Sequence, residues 1–182
     1  MIIFMGLAGS GKSTQGQILA AYMHCPWIST GNLLREHNFD PTVQKQMLAG
    51  EIISDEITLK VLDNELNRIK ATTRECILDG TPRTINQAEW LVAKVKANQL
   101  KISAVIHLKI SPENSKARLL SRQRPDDHEE AIDERFIEYE TQVKPILRYL
   151  KDNQIKVFDI DGSQSLGNVA SDIVKDLKIK AE

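Results

Sequence analysis

The sequence contains no long hydrophobic run, no surplus of either charge and only two cysteines. Without a run of about twenty apolar residues no helix can span a bilayer. The apolar start, Ile2–Met5, is too short for the hydrophobic region of a secretion signal. A cytoplasmic protein with no membrane partner is expected. Lys and Arg number 24 against 25 Asp and Glu, a net charge of −1, so no general basic field exists to hold a nucleic-acid backbone, and no nucleic acid is expected as a partner. Any anion site must come from basic residues brought together locally. Cys25 and Cys76 show neither CxxC spacing nor a metal-type cluster with histidines, which leaves two inert thiols in a reducing compartment and no zinc. Repeats, low-complexity tracts and linkers are missing too. The 182 residues, 41% hydrophobic and 27% charged, therefore read as one α/β domain with room for a substantial core.

What the chain does have begins at once. Residues 6–13 read Gly-Leu-Ala-Gly-Ser-Gly-Lys-Ser, a complete Walker A phosphate loop between the apolar run Ile2–Met5 and a helical stretch from Gly11 to Met23. Gly6, Gly9 and Gly11 let the backbone curl until its N–H groups, with those of Ser10 and Thr14 beside them, point inward at phosphate oxygens. The helix N-terminus adds partial positive charge. Lys12 is placed to reach the β/γ-phosphates and Ser13 to touch a magnesium ion. The bland alternative, a glycine turn that binds nothing, does not explain a motif with every position filled. ATP or another nucleoside triphosphate is the expected ligand.

Further apolar runs at Trp27–Ser29, Cys76–Asp79, Ala104–Lys109 and Lys156–Ile160 alternate with helical patterns. Strands separated by helices imply right-handed crossovers and a parallel sheet covered on both faces. Ile132, Phe136, Tyr139, Val143, Ile146, Leu147 and Leu150 recur at steps of three and four, giving one apolar helix face. Leu166, Val169, Ile173 and Leu177 do the same, as does the segment Asp55–Ile69. Between Asn38 and Ser54 the pattern weakens around Pro41 and Gly50, which reads as an insertion.

Several motifs then follow in order: Ser29-Thr30-Gly31-Asn32-Leu33-Leu34-Arg35, Gly50-Glu51-Ile52-Ile53-Ser54-Asp55-Glu56, Leu78-Asp79-Gly80-Thr81-Pro82-Arg83-Thr84 with Gln87, Arg118 to Arg122, and Arg124-Pro125-Asp126-Asp127-His128-Glu129-Glu130 ending at Arg135. Arg118 and Arg122, four apart, share a helix face. Arg35 and Arg83 follow turn-like segments just after strand candidates, where parallel sheets bind ligands. A single arginine is more often a solvated surface side chain than a ligand. The series together resembles the adenylate kinase family of nucleoside monophosphate kinases, in register through essentially the whole chain.

The resemblance implies a P-loop NTPase fold, three layers α/β/α around a five-stranded parallel sheet. It implies a core at 1–28, 57–117 and 136–182, an AMP-binding insertion at about 29–56 and a vestigial lid at about 118–135. It implies a monomer that moves the γ-phosphoryl of Mg-ATP to AMP in nucleotide homeostasis. Arg35 and Arg83 would then grip the monophosphate, and Arg122, Arg124 and Arg135 would neutralise the transferring phosphoryl. Arg118 would lie against the donor adenine, with Gln164 in the turn that meets that base. Thr30, Gln87 and the backbone at Glu51, Ile52 and Ile53 would face the acceptor adenine, beside Gly80 and Thr81. Asp79, which could merely cap a turn, would hold magnesium through water and face Lys12. Asp127-His128-Glu129-Glu130 reads equally as an Asx capping box and as carboxylates that orient the arginines.

Three departures stand out. Only Gln123 separates Arg122 from Arg124, where family members carry a flap, so the lid is nearly absent and ATP hydrolysis is expected to be raised. Thr81 replaces the usual aromatic, and Asn32 stands where an acid is common. These leave two alternatives open: a kinase for CMP, UMP or a deoxynucleoside monophosphate, and a nucleotide-sensing module with little turnover.

Overall fold

Strand β1 (Ile2–Gly6) sets the layers by simple alternation. Ile3 and Met5 join one apolar cluster, and Ile2 and Phe4 join another on the opposite face. In the computed structural model, which describes residues 1–36, 43, 45–46, 53–124 and 127–179, β1 is the centre of a five-stranded sheet. The other strands are β2 (Trp27–Ser29), β3 (Ile77–Asp79), β4 (Ala104–Lys109) and β5 (Val157–Asp161), in the order β2-β3-β1-β4-β5, every pair parallel. A central parallel strand is covered on both faces, which is why β1 and β4 are almost continuously apolar.

Two helical layers do the covering. Leu62 and Leu66 of α3 (Asp55–Arg68), Leu91 of α4 (Ile85–Lys96) and Ile146 and Leu150 of α7 (Lys144–Asp152) pack with Ile3, Met5 and Leu78. Leu19 of α1 (Lys12–Tyr22) and Val169 and Ile173 of α8 (Leu166–Asp176) pack with Ile2, Phe4 and Ile106. Each such fully buried side chain contributes about 1.5–3 kcal/mol. This is the three-layer P-loop NTPase architecture the sequence pointed to. A third cluster, Leu34, Ile53 and Val61, ties α2 (Thr30–Glu36) to α3. Glu51 and Ile52 lie outside the described residues, as does most of the expected insertion.

Helix starts distinguish structural ends from the functional one. Ser54, Thr84, Ser111 and Ser165 each accept a backbone N–H from the first turn of α3, α4, α5 (Pro112–Arg122) and α8. Helix α1 instead starts behind Gly11, left-handed at φ 95°, with no side-chain cap. Its first N–H groups are thus left for a ligand.

Two expectations need correction. The apolar stripe from Ile132 to Leu150 is not one α-helix: α6 (Glu129–Glu138) runs into a π turn at Tyr139–Val143 before α7. Pro145 is the physical reason, since it has no N–H for the carbonyl four residues back and its ring crowds that carbonyl. The ladder widens just before it, the N–H of Lys144 reaching the carbonyl of Tyr139. Nor is Asp127 the cap of α6. His128 takes that place, accepting from the Ala131 N–H at 3.4 Å, because the Asp127 carboxylate is engaged by arginines.

Candidate active site

All the strands end at one edge, and a cleft of about 830 Å3 opens there. Its floor is the phosphate loop. Gly9, at φ +76°, is pressed by α5: a Cβ there would come within 2.9 Å of the Ser115 carbonyl oxygen, and the fully buried Ser115 hydroxyl donates to the Ala8 carbonyl. Ser115 is a support the motif reading missed, because nothing in its local sequence marks it.

Lys12 Nζ donates to the carbonyls of Gly6 at 2.8 Å and Leu7 at 2.9 Å. Burial pushes its pKa down to about 8, and Arg83 and Arg122 push the same way, against Asp79 and Glu138. Ser13 Oγ donates to Asp79 Oδ2 at 2.5 Å, so the carboxylate's hydrogen bond comes from Ser13 while Lys12 rests on the loop carbonyls. The Ser13 hydroxyl and the Asp79 carboxylate, the latter at 4% exposure, are oxygen ligands beside the loop that fit a hard divalent cation such as magnesium. Among the described residues no group of three or more His, Cys, Asp or Glu could hold a metal. A cation held by Ser13 and Asp79 would have phosphate oxygens and water for its remaining ligands.

The arginines converge. Arg35 of α2, Arg83 after β3, Arg118 and Arg122 of α5, Arg124 in the connection after it and Arg135 of α6 all line this cleft, with Gly9, Ser10, Gly11, Thr14, Gly80 and Gln164. Asp127, 8% exposed, organises three of them: Arg122 donates through Nε at 2.8 Å and Nη2 at 2.6 Å, Arg135 through Nη1 at 3.3 Å, and Arg124 through its backbone N–H at 3.0 Å. Burial alone would raise the pKa of Asp127, but these hydrogen bonds and the Arg122 charge hold it at about 2. Arg118 Nη1 donates to the Gly162 carbonyl at 3.0 Å, beside the turn that carries Gln164. Arg83 Nη1 faces Glu138 Oε1 at 4.0 Å, and Arg35 Nη2 donates to Asn32 Oδ1 at 2.5 Å. Gln123, left-handed at φ 57°, ends α5, and only residues 123–128 connect it to α6.

The opposite wall is neutral. Thr81 Oγ1 donates to Thr30 Oγ1 at 2.8 Å, both side chains buried. Gln87 accepts from the Arg83 N–H at 2.8 Å and donates through Nε2 to Asp55 Oδ1 at 2.8 Å. Thr84 Oγ1 donates to the same Asp55 oxygen. Ile53 also lines this wall. Sequence reasoning missed Asp55 and Glu138. Asp55 looks like an ordinary first-turn acid of a helix, and Glu138 like one more charge on a helix flank.

Comparisons with known proteins agree with this geometry. Residues 4–155 match the family model described as Adenylate kinase. Adenylate kinase 1 of Nostoc sp. is 35% identical over 177 residues, 94% of this chain and 95% of the relative. Adenylate kinase 1 of Synechocystis sp. is 35% identical over 182 residues, 97% and 96% of the two chains. The adenylate kinase of Leptospira biflexa is 32% identical over 185 residues, 97% and 98%.

Proposed function

This chain belongs to the adenylate kinase family, and we propose from that premise that its cleft moves the γ-phosphoryl of ATP to AMP, giving two ADP. The observation that carries this reading is six arginines from five segments of the chain lining one cleft with the phosphate loop. A protein that only bound nucleotide would have no use for so many charges aimed at one point.

Phosphoryl transfer asks for positioning and charge, with little covalent chemistry from the protein. The attacking group is itself a phosphate oxygen, so no general base is required. Gly9, Ser10, Gly11, Ser13 and Thr14 cradle the donor phosphates, with Arg118 and Gln164 toward its base. Arg35 and Arg83 hold the acceptor phosphate, while Thr30, Ile53, Gly80, Thr81 and Gln87 form the wall for its base, and the backbone of Glu51 and Ile52, outside the described residues, is assigned to the same base. Lys12, Arg122, Arg124 and Arg135 meet the charge that builds on the moving phosphoryl. Ser13 and Asp79 would hold magnesium, Asp79 through water; the ion supplies charge neutralisation on the β- and γ-oxygens. Residues 29–56 serve as the acceptor insertion and 118–135 as a shortened lid on the core 1–28, 57–117 and 136–182. The protein acts as a cytoplasmic monomer on small nucleotides, without zinc or nucleic acid.

A second reading has one observation in its favour. Thr81 turns its hydroxyl to Thr30 at 2.8 Å, so the acceptor wall carries no ring at that place to stack on a base. A kinase for another monophosphate would fit such a wall. A coupled assay with ATP against AMP, CMP, UMP, GMP and their deoxy forms decides. The expected result is fastest transfer to AMP, with measurable phosphate release when AMP is left out. Transfer to CMP but not AMP overturns the acceptor assignment, and no transfer at all favours a sensing module.

A further inference from the structure

His107 is the one polar side chain in the buried stretch of β4, at 7% exposure, and both of its ring nitrogens are engaged. Nδ1 lies 2.7 Å from Asp159 Oδ1 on β5, and Nε2 lies 2.7 Å from the hydroxyl of Tyr139. A carboxylate only accepts, so Nδ1 carries the proton toward Asp159 and Nε2 is left to accept the Tyr139 O–H. Burial keeps the imidazole pKa below its usual range, against the pull of Asp159, which favours this neutral form. An imidazole on a core-facing strand position is costly unless both nitrogens are satisfied, and an aliphatic residue would suit the strand better. Nothing in the transfer chemistry above uses it.

Its partner explains its place. Tyr139 is the first residue of the π turn, and its carbonyl accepts the wide hydrogen bond from Lys144. An extra residue in a helix rotates everything before it by about 100° relative to everything after. The side chains before this turn are the ones that matter: Glu138, which faces Arg83 at 4.0 Å, and Arg135 one turn earlier, held by Asp127. The side chains after it, Ile146 and Leu150, are locked in the core. The position of the widening therefore decides whether Arg135 and Glu138 look into the cleft. His107 is also the register partner of Met5, the residue before Gly6 of the phosphate loop. The relay is thus anchored in the same strands that hold the loop.

We propose that Tyr139, fixed by His107 and Asp159, is a positioning residue for phosphoryl transfer, pinning the π turn so that Arg135 and Glu138 face the cleft. This rests on the transferase reading. The chain of two hydrogen bonds ties β5, β4 and the turn together; Tyr139 itself borders the cleft, and the relay acts on the reacting atoms by placing Arg135 and Glu138.

Tyr139→Phe removes one hydroxyl and keeps the ring. It is expected to lower kcat about tenfold, with KM for ATP and AMP within about twofold, and to shift the Nε–H NMR signal of Arg135. Asp159→Ala, at a half-exposed side chain that tolerates replacement, is expected to give a similar loss, and the double variant no more than the larger single loss. A lower melting temperature with kcat and the Arg135 signal unchanged overturns the proposal, as do additive losses in the double variant. If Tyr139→Phe fails to fold, Asp159→Ala decides by the same criteria. Wild-type protein without turnover counts against the transferase reading alone; the Arg135 signal still tests the relay in that event.

Discussion

The two walls of the cleft are held by different means. On the phosphate side Lys12, Arg122 and Arg135 each have a protein partner that a phosphate oxygen can replace: loop carbonyls for Lys12, and Asp127 for Arg122 and Arg135. On the acceptor side Thr81 is tied to Thr30, and Thr84 and Gln87 to Asp55, by short neutral or singly charged hydrogen bonds, with Thr30, Thr81 and Gln87 nearly inaccessible. Charge-assisted bonds are strong, and exchanging one for another yields only the difference. Binding on the phosphate side is thus an exchange of partners. The acceptor wall is preorganised, and its contribution is shape and orientation.

Removing the central cation of the exchanging side should do the most damage. Lys12→Ala is expected to lower kcat about a thousandfold, near the upper end for losing one preorganised charge. The pH dependence carries a definite sign. Phosphate favours charged Lys12, whose pKa without that help is about 8, so KM for ATP should rise as pH climbs through 8. Lys12→Arg, though slower, should lose that limb of the profile. Folding runs the other way: between about 8 and 10.5 the unfolded chain binds the extra proton, so the cost of burying Lys12 is relieved as pH rises. A KM for ATP that stays flat from pH 7 to 9.5 would mean that Lys12 is not the exchanging group.

Asp127 comes next, since it is the protein's stand-in for phosphate at the lid corner. Asp127→Ala removes the carboxylate that Arg122 and Arg135 share, and kcat is expected to fall about thirtyfold. Its pKa drop from 3.8 to about 2 corresponds to about 2 kcal/mol of stability, present above pH 3.8 and lost as the pH falls toward 2. Urea unfolding of wild type between pH 5 and 2 should show that acid limb, and Asp127→Asn should flatten it. If activity in Asp127→Ala survives intact, the arginines do not need their carboxylate, and the exchange picture fails at this corner.

How much of this was legible in the sequence follows the same division. Strand periodicity, the phosphate loop and the arginine-bearing turns are local signals, because glycine conformations and apolar alternation are written in neighbouring residues. The alternation of strands and helices and the phosphate loop came from them; the five-stranded sheet and most of the cleft lining came from the resemblance to the adenylate kinase family. The hydrogen-bond partners did not. Gln87 meets Asp55 across 32 positions and His107 meets Asp159 across 52, pairings set by strand register and helix packing that no local pattern encodes. The π turn hid for another reason: the apolar stripe through Tyr139 and Val143 kept helical spacing, and Pro145, the visible warning, sits just beyond the widening. The cap of α6 was misread because Asp127 has two suitors; the arginines win it, and the neighbouring imidazole takes the helix end.

The smallest effect tests the acceptor wall. Thr81→Val keeps the volume and removes the hydroxyl, leaving the Thr30 oxygen buried without its donor. Losing one neutral hydrogen bond while stranding its partner costs about 1 kcal/mol, or about fivefold. The expected reading is a rise of that size in KM for AMP, with kcat and KM for ATP unchanged, because the wall orients the acceptor base and touches no phosphate. Removing both hydroxyls in Thr30→Val/Thr81→Val takes away the stranded group, so the double variant should recover melting temperature relative to Thr81→Val while keeping the raised KM for AMP. Stability would then recover while acceptor affinity would not. That separation is what a preorganised wall predicts, and an exchanging wall, whose groups find new partners on binding, does not. Equal shifts in KM for ATP and AMP would erase the distinction between the two sides of the cleft.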